Sequence, residues 1–234
     1  MVSLLCLGFS SIKKPKFTYM ALGDGYTLGC GVEKDKTWPY IISNSYKELD
    51  DIKYEFAGVF ADSAATVKEL IKNYITTLQT KQPDLLSINI GMQDVINDAS
   101  EHTFREDYTK LVLLTLQQVP SHNSVLLITI PDFTTLPMGK TLTHGFDARQ
   151  KIIQFNNIIK EIAQQNNIHI FDIFQQSDQL GKVSNLLSAN GIYPSAFGHE
   201  RWAKMIKPEL DYLRNIPLKG YKTKRERKKE EQQQ

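Results

Sequence analysis

The stretch YMALGDGYTLGCGV, residues 19–32, decides how the rest of the chain is read. It starts inside an apolar run, 17–22, whose composition suits a strand. The run stops at Gly23-Asp24-Gly25, a glycine-marked turn. Residues able to open a helix follow. A strand, a tight turn and a helix in that order belong to α/β architecture, where ligands and chemistry gather outside the carboxyl ends of strands.

Outward from this stretch, strand and helix patterns alternate. Residues 38–49, opening on Trp38-Pro39, read as a helix, and 52–59 as a second strand. Over 64–78, Val67, Leu70, Ile71, Tyr74, Ile75 and Leu78 share one helical face, and Pro83-Asp84 stops the pattern. Residues 85–90 form a third strand, nearly all apolar, as a central parallel strand requires. Tyr108, Leu111, Val112, Leu116 and Val119 align along a helix over 104–119. A fourth strand, 125–130, closes at Pro131-Asp132. The following loop, 133–145, is long enough to cover a site. Ala148–Gln165 is helical through Ile152, Phe155, Ile159 and Ile162, and 168–173 is a fifth strand. Ser195 caps a helix over 195–206 that turns Trp202, Met205 and Ile206 inward, and Pro208 starts a short final turn. Five strands alternating with helices predict a flavodoxin-like three-layer α/β sandwich: one five-stranded parallel sheet built from right-handed crossovers.

The 234 residues fit one domain, over 16–215. An N-terminal segment, 1–15, precedes it. That segment is apolar for the length of a signal core but has no basic lead and no clear small-x-small cleavage site, so a remnant export signal stays open. Cytoplasmic and exported chains both fit this start. A basic, disordered tail over 216–234 follows the domain. Residues 219–234 carry seven Lys or Arg against three Glu; of the net +2 this leaves the remainder at −2, which excludes a nucleic-acid footprint on the folded part. No run approaches the roughly 20 apolar residues of a membrane span. Cys6 and Cys30 form no metal-binding spacing and no disulfide framework. No metal and no cofactor is expected, and the helix faces mark no oligomer seam.

Four anchors carry a resemblance. Gly23-Asp24-Gly25-Tyr26-Thr27 follows the first strand; Ser63-Ala64-Ala65-Thr66-Val67 follows the second; Gly91-Met92-Gln93-Asp94 follows the third; and Asn190-Gly191-Ile192-Tyr193-Pro194-Ser195 precedes the last helix. Their order and intervals resemble those of the SGNH (GDSL) hydrolase family, whose anchors read Gly-Asp-Ser, a Gly-bearing loop, Gly-x-Asn-Asp and Asp-x-x-His-Pro. Ile130-Pro131-Asp132-Phe133 is similar to the family's exit from the fourth strand. The resemblance spans about 16–213 and implies the SGNH hydrolase fold and an acyl-transfer site at the strand ends.

At each catalytic slot the residue differs. The family's Ser nucleophile falls on Gly25, its His on Tyr193 and its Asp on Asn190. Gly25 has no side chain to attack an acyl carbon, Tyr193 is a poor base near neutral pH, and Asn190 has no charge to steady an imidazolium. The oxyanion-hole positions fall on Gly25, Ala64 and Gln93. The first two keep a backbone N–H, while the Gln93 amide sits one methylene further out. Tyr26, Thr27, Cys30 and Ser63 are the available surrogate nucleophiles. Gly198-His199 reads as a structural pair at the helix start, His169 as a strand residue, and His144, in the long loop, as within reach of the site; His102 and His122 lie in loops or at helix starts. Asp24 and Asp94 either hold turns through backbone N–H groups or, with Thr27 and Ser63, meet a polar ligand. Three functions follow as expectations: a pseudoenzyme binding an ester, acyl or carbohydrate ligand in the retained crevice; an active carboxylic-ester hydrolase with a non-standard nucleophile; or a scaffold or interaction protein.

Overall fold

The computed structural model describes residues 16–47, 53–143, 147–177, 179–183 and 185–215. The expected N-terminal segment, the basic tail and His144 lie outside the described residues. Strands β1 (Lys16–Gly23), β2 (Lys53–Ala61), β3 (Leu85–Asn89), β4 (Val125–Ile128) and β5 (His169–Phe171) form one sheet in the order β2-β1-β3-β4-β5. Every pairing is parallel. This is the doubly wound order whose switch point falls between β1 and β3, so the turn after β1 sits where the sheet opens a crevice.

The burial of each strand follows its place. β3 and β4 are buried throughout, and β1 is buried from Tyr19 onward, because helices cover both faces. The edge strand β2 stays half-exposed and carries a bulge opposite Tyr19 and Met20.

Helices α1 (Gly25–Leu28), α2 (Trp38–Tyr46), α3 (Val67–Lys81), α4 (Met92–Ile96), α5 (Glu101–Leu116), α6 (Pro137–Leu142), α7 (Ala148–Gln165), α8 (Phe174–Ser177) and α9 (Ala196–Asn215) make the outer layers. The sheet order reverses after β2, so right-handed crossovers send α2 to one face and α3, α5 and α7 to the other. Accordingly α3 packs on α5 and α5 on α7, where Phe104 and Phe155 stack at 3.9 Å, while α2 packs on α9. Thr66 and Glu69 close a capping box on α3.

Several boundaries depart from expectation. The long loop after β4 contains α6, opened by Pro137 at its first turn. The short helices α4 and α8 follow strand ends too closely to show a periodic apolar face. Pro208 does not start a new turn: α9 runs through it to Asn215. Proline removes one N–H donor from a helix, and burial of Ile206, Leu210 and Leu213 on the same helix outweighs that loss.

Candidate active site

Asp24 organises the turn after β1. Its carboxylate accepts from Tyr26 N at 3.1 Å as the N-cap of α1, and from Met92 N at 3.2 Å in the turn after β3. Its own N–H donates to Asn89 O at 3.1 Å. One side chain thus joins the first and third anchors. Burial pushes the Asp24 carboxyl up to about 6, against the pull of those N–H groups. Asp94 works alike: it accepts from Val67 N at 3.0 Å at the start of α3, and burial raises it to about 7. Thr27 is fully buried and donates to Asn89 O at 3.3 Å.

Further along the strand ends, Asn89 donates its amide to Thr129 O at 2.9 Å, and Thr129 donates its hydroxyl to Asp172 at 2.9 Å. β1, β3, β4 and the exit of β5 are therefore tied together along their carboxyl ends by side-chain hydrogen bonds. Asn89 and Thr129 carried no sequence signal beyond a polar residue ending an apolar run.

Gly25 is the first residue of α1, and Tyr193 lies directly over it. A Cβ at position 25 would stand 2.5 Å from Tyr193 Cε1 and nearer still to its hydroxyl, well inside the 3.0 Å that real Cβ contacts respect. The Tyr193 ring meets Tyr26 edge-on at 5.2 Å, and Tyr26 stacks on Trp202 at 5.4 Å. Tyr26 also donates its hydroxyl to Ile192 O at 2.9 Å, which fixes the loop that carries Tyr193. Burial raises the Tyr193 phenol far above the range where it ionises at neutral pH.

Asn190 shapes that loop from within. Its carbonyl oxygen accepts from Ser188 Oγ, Ile192 N and Tyr193 N at 2.7, 3.1 and 3.0 Å, and its amide donates to Cys30 O at 2.9 Å. The remaining candidates point elsewhere. Gln93 turns its amide along α4 to Asn97 at 2.8 Å. The Ala64 N–H closes a local turn onto Asp62 at 2.9 Å. Ser63 is exposed and hydrogen-bonds the Cys30 thiol, which burial raises. Gly29 ends α1 at φ +79°, the left-handed cap that favours glycine.

Among the histidines, His199 is fully buried at the start of α9. Its Nδ1 accepts from Trp38 N at 3.4 Å, its Nε2 has no partner among the described residues, and burial lowers it to about 4. His169 lies in β5 and pairs with Glu209 at 2.6 Å. Among the described residues, no group of three or more His, Cys, Asp or Glu is placed to hold a metal ion, and no helix is long and apolar enough to cross a membrane.

The fold has close counterparts among solved structures. TesA shares 17% identity over 84% of this chain and 99% of its own, at a TM-score of 0.67. Axe2, an acetylxylan esterase from Geobacillus stearothermophilus, shares 18% over 85% of this chain and 96% of its own, at 0.66. The psychrotrophic esterase EstA from Pseudoalteromonas sp. shares 17% over 85% and 98%, at 0.63. At such identities the likeness is one of fold. No curated sequence matches this chain. The model of the GDSL-like lipase/acylhydrolase family matches residues 21–201, across all four anchors. By that match this chain belongs to the GDSL-like lipase/acylhydrolase family.

Proposed function

We propose that this chain is a catalytically silent member of its family, holding an ester, acyl or carbohydrate ligand at the strand-end crevice without cleaving it. The observation that carries this reading is the Tyr193 phenol over Gly25, in the space where a side chain at position 25 would stand. Removing the nucleophile or the base of a serine hydrolase costs on the order of 10⁶ in kcat. Positions 25 and 193 supply neither. Asn190 is uncharged and committed to its own loop and to Cys30. Cys30, the most reactive surrogate, has its thiol raised by burial rather than lowered.

Support for an acyl-bearing ligand comes from the surface at this end of the sheet. Leu28, Met138, Val183 and Phe197 are large apolar side chains left exposed; Leu28 and Met138 lie on α1 and α6, the helices that follow β1 and β4, Val183 lies between α8 and α9, and Phe197 in the first turn of α9. The scaffold reading draws on the same Tyr193 contact, since a filled crevice leaves less room for a ligand.

The test has three arms. The purified chain should hydrolyse p-nitrophenyl acetate and butyrate no faster than buffer, and a fluorophosphonate should label no residue. A melting-temperature screen of fatty acids, short esters and oligosaccharides then separates binder from scaffold, since a ligand at 100 times its Kd adds about 2.7 kcal/mol. Turnover, or stoichiometric labelling at one residue, overturns the silent reading. Replacing Gly25, Gln93, Asn190 and Tyr193 together by Ser, Asn, Asp and His should give measurable hydrolysis.

A further inference from the structure

A pocket lies away from the Gly25–Tyr193 contact, between α7 and the exit of β5. It encloses about 200 Å³ and is lined by Arg149, Asn157, Lys160, Asp172, Phe174 and Gln175, among others. Two of its side chains are held from behind. Arg149 donates its Nε to the buried Asp132 at 2.9 Å, and its guanidinium lies over the Phe174 ring at 5.2 Å. Lys160 donates to Asp172 at 2.5 Å, and Asp172 also accepts the Thr129 hydroxyl at 2.9 Å.

What these bonds leave over is a set of donors. Neither Nη group of Arg149 has a partner among the described residues, nor have the side-chain amides of Asn157 and Gln175. An ammonium has three donors, and Lys160 commits one of them to Asp172. The one lining carboxylate, Asp172, has both oxygens engaged, Oδ1 by the Thr129 hydroxyl and Phe174 N and Oδ2 by Lys160, so it does not recruit a cation. The aromatic face is covered by Arg149, so it does not recruit a sugar or an apolar ring. A guanidinium fixed at Nε presents its outer N–H groups in the fork that matches two oxygens of one anion.

We propose that this pocket binds a small oxyanion, a phosphate or carboxylate group, on the outer edge of Arg149 with Asn157, Lys160 and Gln175 completing the ring of donors. The volume suits the anion itself or the head of a slender ligand, being below that of drug-sized sites. The site includes neither Gly25 nor Tyr193, meeting the strand-end hydrogen bonds at Asp172, and stands whether or not the esterase-like crevice is silent.

The test is titration calorimetry of the full chain with sodium phosphate and, separately, sodium acetate, with sodium chloride holding ionic strength constant. Arg149→Lys removes the fork but disturbs Asp132. Asn157→Leu removes one donor and leaves both ion pairs in place. Saturable binding of either anion, about tenfold weaker in Asn157→Leu as for one lost bond to a charged group, supports the site. Phosphate alone points to a phosphate ester as the natural ligand and acetate alone to a carboxylate. No saturable binding of either anion, or binding unchanged in both variants, overturns it.

Discussion

The side-chain amide of Asn190 donates to the backbone carbonyl of Cys30, 160 residues earlier in the chain, at 2.9 Å. Only the amide nitrogen can make this bond, because an ionised carboxylate is an acceptor alone. Asn190→Asp, the change toward the family pattern, therefore sets two acceptors against each other. It should cost about 1–3 kcal/mol, read as a lowered urea midpoint and a Tm lower by about 2–4 °C per kcal/mol. An unchanged midpoint would remove Asn190 from the account of the closed loop.

Gly25 and Tyr193 should prove coupled. Gly25→Ser alone drives a Cβ into the phenol and should cost about 1–3 kcal/mol, as overpacking does. The same substitution in a Tyr193→His background should cost clearly less. A double-mutant cycle on urea-derived stabilities measures the difference, expected at about 0.5–3 kcal/mol.

Acid should stabilise the fold through its buried carboxylates. Burial holds the Asp24 and Asp94 carboxyls at about 6 and about 7 in the fold, against 3.8 for a free aspartate. Between those limits the folded chain holds more protons than the unfolded one, so stability rises as pH falls from about 7 towards 4. His199 acts in the opposite sense: near 4 in the fold against 6.5, it refuses a proton the unfolded chain takes, and its contribution is lost as pH falls from 6.5 to 4. Asp94→Asn should flatten the pH profile of Tm, and His199→Gln should steepen it.

The Cys30 thiol should be sluggish. Burial raises it, and its neighbours Asp24 and Asp62 raise it further. Iodoacetamide at pH 7.5, followed by mass spectrometry of peptides, should modify Cys30 more slowly in the folded chain than in urea. Faster modification in the fold would mark an activated thiol and revive a surrogate nucleophile.

Pro208→Ala should stabilise α9. Proline inside a helix costs about 3 kcal/mol relative to alanine, and α9 continues for seven residues past Pro208. A Tm unchanged or lower would mean that the ring contributes packing as large as the hydrogen bond it removes.

The sheet was legible because its buried strands are nearly all-apolar runs ended by Pro-Asp, Gly-Asp or an amide. α3 and α7 showed in their periodic faces. α4 and α8 did not, since four or five residues hold no period, and α9 was cut short because a proline outweighed the Leu210 and Leu213 face beyond it. In the candidate site the positions could be read from their spacing, but not their commitments. Gln93 turning to Asn97, Ala64 closing onto Asp62 and Tyr193 reaching over Gly25 each depend on a partner that spacing alone does not select.

Tyr26 rests on Trp202 and grips Ile192, and Asn190 reaches back to Cys30. A chain emerging from the ribosome could pair its first strands early, yet the turn beside them would wait for partners made some 160 residues later. The opening and closing passages of synthesis must meet before that corner of the molecule exists, so a product released short of Trp202 should leave it unfinished.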